Sequence, residues 1–161
     1  MLNPAFATSG FQPDPAVEYR CSVNTTSTGF NFLHALVLGG PDRLVELELF
    51  IKQHPVEFTR QAQQRNTQGW TALMLAARNS RADSTERTVD LLLPHSDAKQ
   101  QTKEGSTALM LAARYSRTTS TEHTVELLLP HSDAKQQNKD GWTALMLAAR
   151  NSRTTSTEHT V

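Results

Sequence analysis

Residues 69–78 read Gly69-Trp70-Thr71-Ala72-Leu73-Met74-Leu75-Ala76-Ala77-Arg78. A hydroxyl residue, Thr71, stands before a run of apolar and small residues that closes on a cation. That is the pattern of a short helix with a side-chain cap at its start. The string from Thr71 to Arg78 recurs from Thr107 and again from Thr143, 36 residues apart each time. A second string, from Thr88 through Leu91-Leu92-Leu93-Pro94-His95 to Gln101, recurs from Thr124 with Glu126 in place of Asp90. Internal repetition at this period is the signature of a stacked array.

Each unit reads as two short helices, expected near 71–78 and 85–93, then near 107–114 and 121–129. The alanines of the first helix allow close approach of its neighbours. The second helix has start signals at Asp83 with Glu86, Thr119 with Glu122, and Thr155 with Glu158, all at capping-box spacing. Val89, Leu92 and Leu93 share one helical face. Pro94 and Pro130 are expected to end this helix. The polar stretch from His95 to Gly105 is expected to form an extended, hairpin-like finger between helix pairs. One unit cannot bury its apolar face alone, whereas stacked units can. Leu73, Leu75, Val89, Leu92, Leu109, Leu111, Val125 and Leu128 are the expected core.

The segment Gly69 to Ala77, followed by Val89-Asp90-Leu91-Leu92-Leu93, resembles the ankyrin repeat. The family pattern is G-x-T-P-L-H-x-A-A, then a V-x-L-L-L helix and a finger. The resemblance covers 66–161 strongly and 30–65 weakly. It implies an all-α helix-turn-helix solenoid with short hairpin-like fingers. The chain departs from the pattern in four ways. Ala72 replaces the family's Pro, and Met74 its His, so the usual Thr–His hydrogen bond is lost there. The turn between helices carries a Ser/Thr-rich insert, which resembles ankyrin arrays of large DNA viruses and amoeba-associated microbes. Ser96 and Ser132 stand where Gly is usual.

The expected organisation is a disordered tail over 1–29, a divergent capping repeat over 30–65, repeats over 66–101 and 102–137, and a truncated repeat over 138–161. In the capping repeat Asn31-Phe32-Leu33-His34 aligns with T-P-L-H, and here the His is present. Leu44, Val45, Leu47, Leu49 and Ile51 supply its second helix, expected to end near His54-Pro55. The last unit stops at Val161, before its own leucine helix. Leu147 and its neighbours are therefore expected to be partly exposed, and 151–161 to fray.

Composition narrows the function. Lys plus Arg and Asp plus Glu are 16 each, so the formal net charge is zero. Nucleic acid as the main partner and a polybasic membrane anchor are disfavoured. Cys21, the single cysteine, excludes an intrachain disulfide and a cysteine zinc cage and suits a reduced compartment. A cytoplasmic location is expected, the host cytoplasm if the source is viral. The chain has no Gly-rich phosphate loop, H-E-x-x-H or G-x-S-x-G, so no enzyme activity, metal or cofactor is expected. His95 and His131 are expected to stack as a surface column.

Two constellations remain. Arg78, Arg114 and Arg150 recur at helix ends, with Arg81, Arg117 and Arg153 beside them. They read either as a basic stripe for an acidic partner or as solvated cations complementing the helix dipole. With Glu86, Glu122 and Glu158 nearby, the second is the expectation. The other constellation is the set of positions that vary between copies. Units 102–125 and 138–161 differ only at Thr102/Asn138, Glu104/Asp140, Ser106/Trp142 and Tyr115/Asn151. The resemblance implies that fingers and first helices line a concave partner-binding face. Variation there fits partner contact, and it also fits free drift of exposed positions. The expected contact residues are Gln68, Trp70, Asn79, Glu104, Ser106, Tyr115, Asp140, Trp142 and Asn151. The expected function is a non-enzymatic module that binds a folded protein, with self-association through the uncapped last repeat. The alternatives are a degenerate or truncated reading frame without a partner, or a recruiting adaptor lacking its effector domain.

Overall fold

The computed structural model describes residues 29–39, 43–80, 86–116 and 120–152. Among them the chain forms eight α-helices, two 3-10 turns and no strand. The helices are α1 (Phe32–Leu38), α2 (Leu44–Gln53), α3 (Pro55–Gln63), α4 (Ala72–Arg78), α5 (Glu86–Leu92), α6 (Ala108–Tyr115), α7 (Glu122–Leu128) and α8 (Ala144–Ser152). They build two layers. The helices α1, α4, α6 and α8 pack side by side in one, and α2, α5 and α7 in the other.

The repeated helix forms as its sequence dictates. Thr71 and Thr107 each accept the backbone N–H three residues on, from Met74 and Met110. Every residue from Ala72 to Ala77 is buried. A helix flanked on both sides in its layer and covered by a partner has no polar face to spare. The alanines let the helices approach, while Leu73, Met74, Leu109 and Met110, each at 1% exposure, fill the seams. Of the expected core, Leu73, Leu75, Val89, Leu92, Leu109, Leu111 and Leu128 are buried, and Val125 is partly buried.

The second helix differs from expectation at both ends. Its α-helical part stops at Leu92 and Leu128, and Pro94 and Pro130 lie inside 3-10 turns, Leu93–His95 and Leu129–His131. Proline has no N–H to contribute, so it fits the first turn of a new helical segment. The cap of α7 is Thr121 rather than Thr119: its side chain accepts the Thr124 N–H. Ser120 fixes this start, because its N–H is bonded to the Tyr115 carbonyl. Its hydroxyl accepts from Ser80, which in turn accepts from Thr124, a buried chain of hydroxyls that ties two repeats together. Thr119 and the Asp83–Glu86 and Thr155–Glu158 boxes involve residues outside the described set.

The leading segment brings a third helix. The α2 helix does end near His54, but Pro55 then opens α3 at once. Phe58, Gln61 and Ala62 of α3 are buried. In α1, Asn31 accepts the His34 N–H, and the Asn31 N–H donates to His34 Nδ1. His34 is fully buried, and its Nε2–H donates to the Trp70 carbonyl at 3.1 Å. Burial pushes its pKa from 6.5 down to about 4, against the opposing pull of that hydrogen bond. Phe58 also meets the ring of His95 edge-on at 5.0 Å, and Thr59 bonds its Nδ1. His95 is thus held on α3 while His131 is exposed, so the two equivalent histidines have different surroundings. The preceding neighbour of His131 has no helix like α3.

Leu147 is buried at 6% exposure, also against expectation. Leu75 and Leu111, its equivalents, are buried to the same degree, and packing of α8 on α6 supplies the cover. The exposed apolar side chains of α8 are instead Leu145 at 77% and Met146 at 48%. The expected tail over 1–29, apart from Gly29, and the end over 153–161 lie outside the described residues.

Candidate partner-binding face

The fingers are tight turns with a shared plan. Gly69, Gly105 and Gly141 donate back to the carbonyls of Asn66, Thr102 and Asn138, and these three residues donate to the carbonyls of Trp70, Ser106 and Trp142. The three glycines have φ of +81°, +82° and +79°. A turn followed by a left-handed glycine bulge gives this pattern. Side chains secure it: Asn66 Oδ1 accepts from the N–H groups of Gln68 and Trp70, and Asn138 Oδ1 from those of Asp140 and Trp142. In the middle copy Thr102 Oγ1 accepts from Ser106 N–H. The Thr102/Asn138 difference is therefore an exchange of one turn cap for another.

Neighbouring fingers join through backbone. Lys103 N–H donates to the Gln68 carbonyl at 2.9 Å, and Lys139 N–H to the Glu104 carbonyl at 3.0 Å. They approach so closely that a Cβ on Gly105 would stand 2.9 Å from Lys139 N, whereas one on Gly141 would meet nothing within 4 Å. Layered helix pairs joined by short fingers are the architecture expected from the sequence, and the backbone ladder between glycine-bulged fingers adds to it. Residues 82–158 match the family model for ankyrin repeats, in three copies.

Residues 82–158 are ankyrin repeats.

A search of curated proteins finds no match to the chain. Ankyrin repeats are in general protein–protein interaction modules, not enzymes. No described helix is long and apolar enough to cross a membrane.

The expected contact residues fall into three groups. Gln68, Glu104 and Asp140 are exposed at the fingertips. Trp70, Trp142 and Ser106 are half-buried where fingers meet first helices, and Tyr115 is half-buried at the far end of α6. Asn79 and Asn151 are structural. Asn79 is buried at 8% exposure and closes α4 by donating to Leu75 and Ala76 carbonyls. Asn151 donates its amide to the Arg114 carbonyl of the preceding repeat. Asn79 is thus removed from the exposed contact surface.

The arginines supply what the sequence reading separated. Arg78 lies over the rings of both Trp70 and Tyr115, at 5.7 and 5.0 Å. Arg114 lies over Tyr115 at 5.5 Å, and Arg150 over Trp142 at 5.5 Å. Each sits in the last turn of its helix, as a dipole-complementing cation would. Each is also within the roughly 6 Å at which a ring attracts a cation. Trp70, Arg78, Tyr115 and Arg114 alternate in a row across two repeats, and Trp142 with Arg150 makes a like pair on the third. The signal was in the sequence: the residue before the capping Thr and the residue ending the helix recur eight apart, as Trp70/Arg78 and Trp142/Arg150.

Arg43 pairs with Glu46, Arg60 with Glu57, and Arg87 with Glu48 and Asp90. Arg60 holds the Glu57 carboxyl below its usual range. Among the described residues no group of three or more His, Cys, Asp or Glu could hold a metal ion.

Proposed function

We propose that the array binds a folded partner protein on the face made by its fingers and first helices. The observation that carries this reading is the row Trp70, Arg78, Tyr115 and Arg114 with the like pair Trp142 and Arg150. Together they span three repeats with half-exposed rings already ordered against cations. Aromatic and Arg side chains are the types most enriched among interface hot spots, and rigid ones lose little entropy on binding. Residues 30–65 act as a divergent cap: Asn31 ties α1 to α3 through Gln61 and Gln64, while His34 bonds the Trp70 carbonyl and Phe58 and Thr59 meet His95 of the first full repeat. The single thiol, Cys21, fits work in the reduced cytoplasm.

Affinity capture from cells tests this, with binding quantified for the captured protein. Trp70→Ala and Trp142→Ala should each weaken binding by ~2 kcal/mol or more while the helical circular dichroism spectrum is kept. Asp90→Ala and Glu126→Ala, on the opposite layer, should leave it intact. The reverse pattern would place the partner on the outer helices.

A second reading rests on α8. Leu145 and Met146 are exposed where Leu109 and Met110, their equivalents, are sealed by the next first helix. A second copy of the chain fits this edge, because repeat-on-repeat packing is the interface the chain already makes with itself. Sedimentation should show concentration-dependent association that Leu145→Lys abolishes. A monomer at all concentrations would rule it out.

A further inference from the structure

We infer that the segment received by this face is acidic and extended, with a carboxylate at every third residue. The inference rests on the partner-binding reading above and adds its chemistry and register. Three observations support it.

The first is local charge. The whole chain is neutral, with 16 cationic and 16 anionic residues, yet the described part of this face is not. It carries Arg78, Arg114 and Arg150 along the row and Lys103 and Lys139 on the fingertips, against Glu104 and Asp140. The acidic side chains of α2, α3 and α5 stand on other faces, several of them paired there with Arg43, Arg60 and Arg87.

The second is the state of the arginines. Arg114 and Arg150 are exposed and held against Tyr115 and Trp142. A guanidinium resting on a ring keeps in-plane N–H donors for a carboxylate, which it can grip with two parallel bonds. The ring fixes its position beforehand, so less freedom is lost when the anion arrives.

The third is spacing. Equivalent residues of stacked helices repeat about every 10 Å, the packing distance of helices. A polyproline-type chain advances about 3.1 Å per residue and turns once in three, so every third side chain points the same way about 9 Å on. The two periods match closely enough for successive carboxylates to meet the exposed Arg114 and Arg150 in turn. A continuous polyanion such as nucleic acid fits less well. It would have to lie along Glu104 and Asp140, which alternate with the cations at the fingertips.

Fluorescence anisotropy with the full chain decides the point. The probe is a fluorescein-labelled synthetic peptide with glutamate at every third position and proline and alanine between. It should bind, and replacing its glutamates by glutamine should weaken binding by ~tenfold or more, as loss of charged hydrogen bonds does. The double variant Arg114→Gln, Arg150→Gln should do the same with its helical spectrum unchanged. An isomeric peptide with its glutamates contiguous should bind several-fold more weakly. The inference is overturned by no binding, by equal binding of the glutamine peptide or of the contiguous isomer, or by a double variant that binds as well as the parent. Tighter binding of a single-stranded oligothymidylate overturns it as well, in favour of nucleic acid. Captured partner lost with Trp70→Ala but kept with the arginine double variant would leave the face standing and remove its acidic ligand. Capture unchanged by either would remove both.

Discussion

His34 does at the first helix what Met74 and Met110 do at the next two, by different chemistry. All three fill the same buried place, but His34 also bonds the Trp70 carbonyl and so links α1 to the finger that follows. The presence of the histidine in the first unit and its loss in the others was plain in the sequence. Its consequence needs the burial. A base whose pKa falls from 6.5 to about 4 on folding binds fewer protons folded than unfolded between those values. Stability is therefore complete above pH 6.5 and falls as pH drops toward 4, by roughly 3 kcal/mol over that window. Urea midpoints should fall between pH 7 and 4.5, and His34→Gln should flatten that slope. The fingertip glycines give a second test. Gly105→Ala and Gly141→Ala share the cost of a left-handed backbone, ~1–2 kcal/mol. Only the first also drives a Cβ against Lys139. Urea melts should show Gly105→Ala as the costlier change. Thr102 and Asn138 were read only as positions that differ between copies, because a turn-capping role shows only once the bonds are seen.

At the scale of elements, the repeated helices were legible to within a residue or two, since caps, periodicity and identity between copies agreed. The α3 helix was not. Pro55 was read as marking only the end of the helix before it, but proline opens a helix as readily as it closes one. The missed signal was Phe58, Gln61 and Ala62, three and four apart, on the side α3 buries. Phe58→Ala should cost ~3–5 kcal/mol, and Leu109→Ala in the central seam ~2–5 kcal/mol. Thr107→Ala, which removes the cap of α6, should cost ~1 kcal/mol. Chemical denaturation of each variant checks the ranking. The cap of α7 was misread by two residues because Thr119, Ser120 and Thr121 all qualify as caps. The buried hydroxyl chain to Ser80 chooses among them.

Across the molecule, stability should be graded. The α4 and α6 helices are sealed on both sides, while α8 leaves Leu145 and Met146 to solvent. Amide hydrogen exchange should be slowest in α4 and α6 and faster in α8, since local opening follows buried contact. The solenoid itself was readable from its 36-residue period, because repetition converts one weak helix signal into three concordant ones. The face was readable only in part. Sequence comparison found Trp70, Tyr115 and Trp142 but could not join them to Arg78, Arg114 and Arg150, because the contacts of Tyr115 cross between repeats or run along a helix end. The central claim is that this row and its fingertips meet the partner. Site-specific photocrosslinking in cells tests it most directly, with a benzophenone side chain placed in turn at Gln68, Glu104, Asp140, Asp90 and Glu126. The account predicts adducts to one common protein from Gln68, Glu104 and Asp140 and none from Asp90 or Glu126. Adducts from the outer-layer positions alone would contradict it.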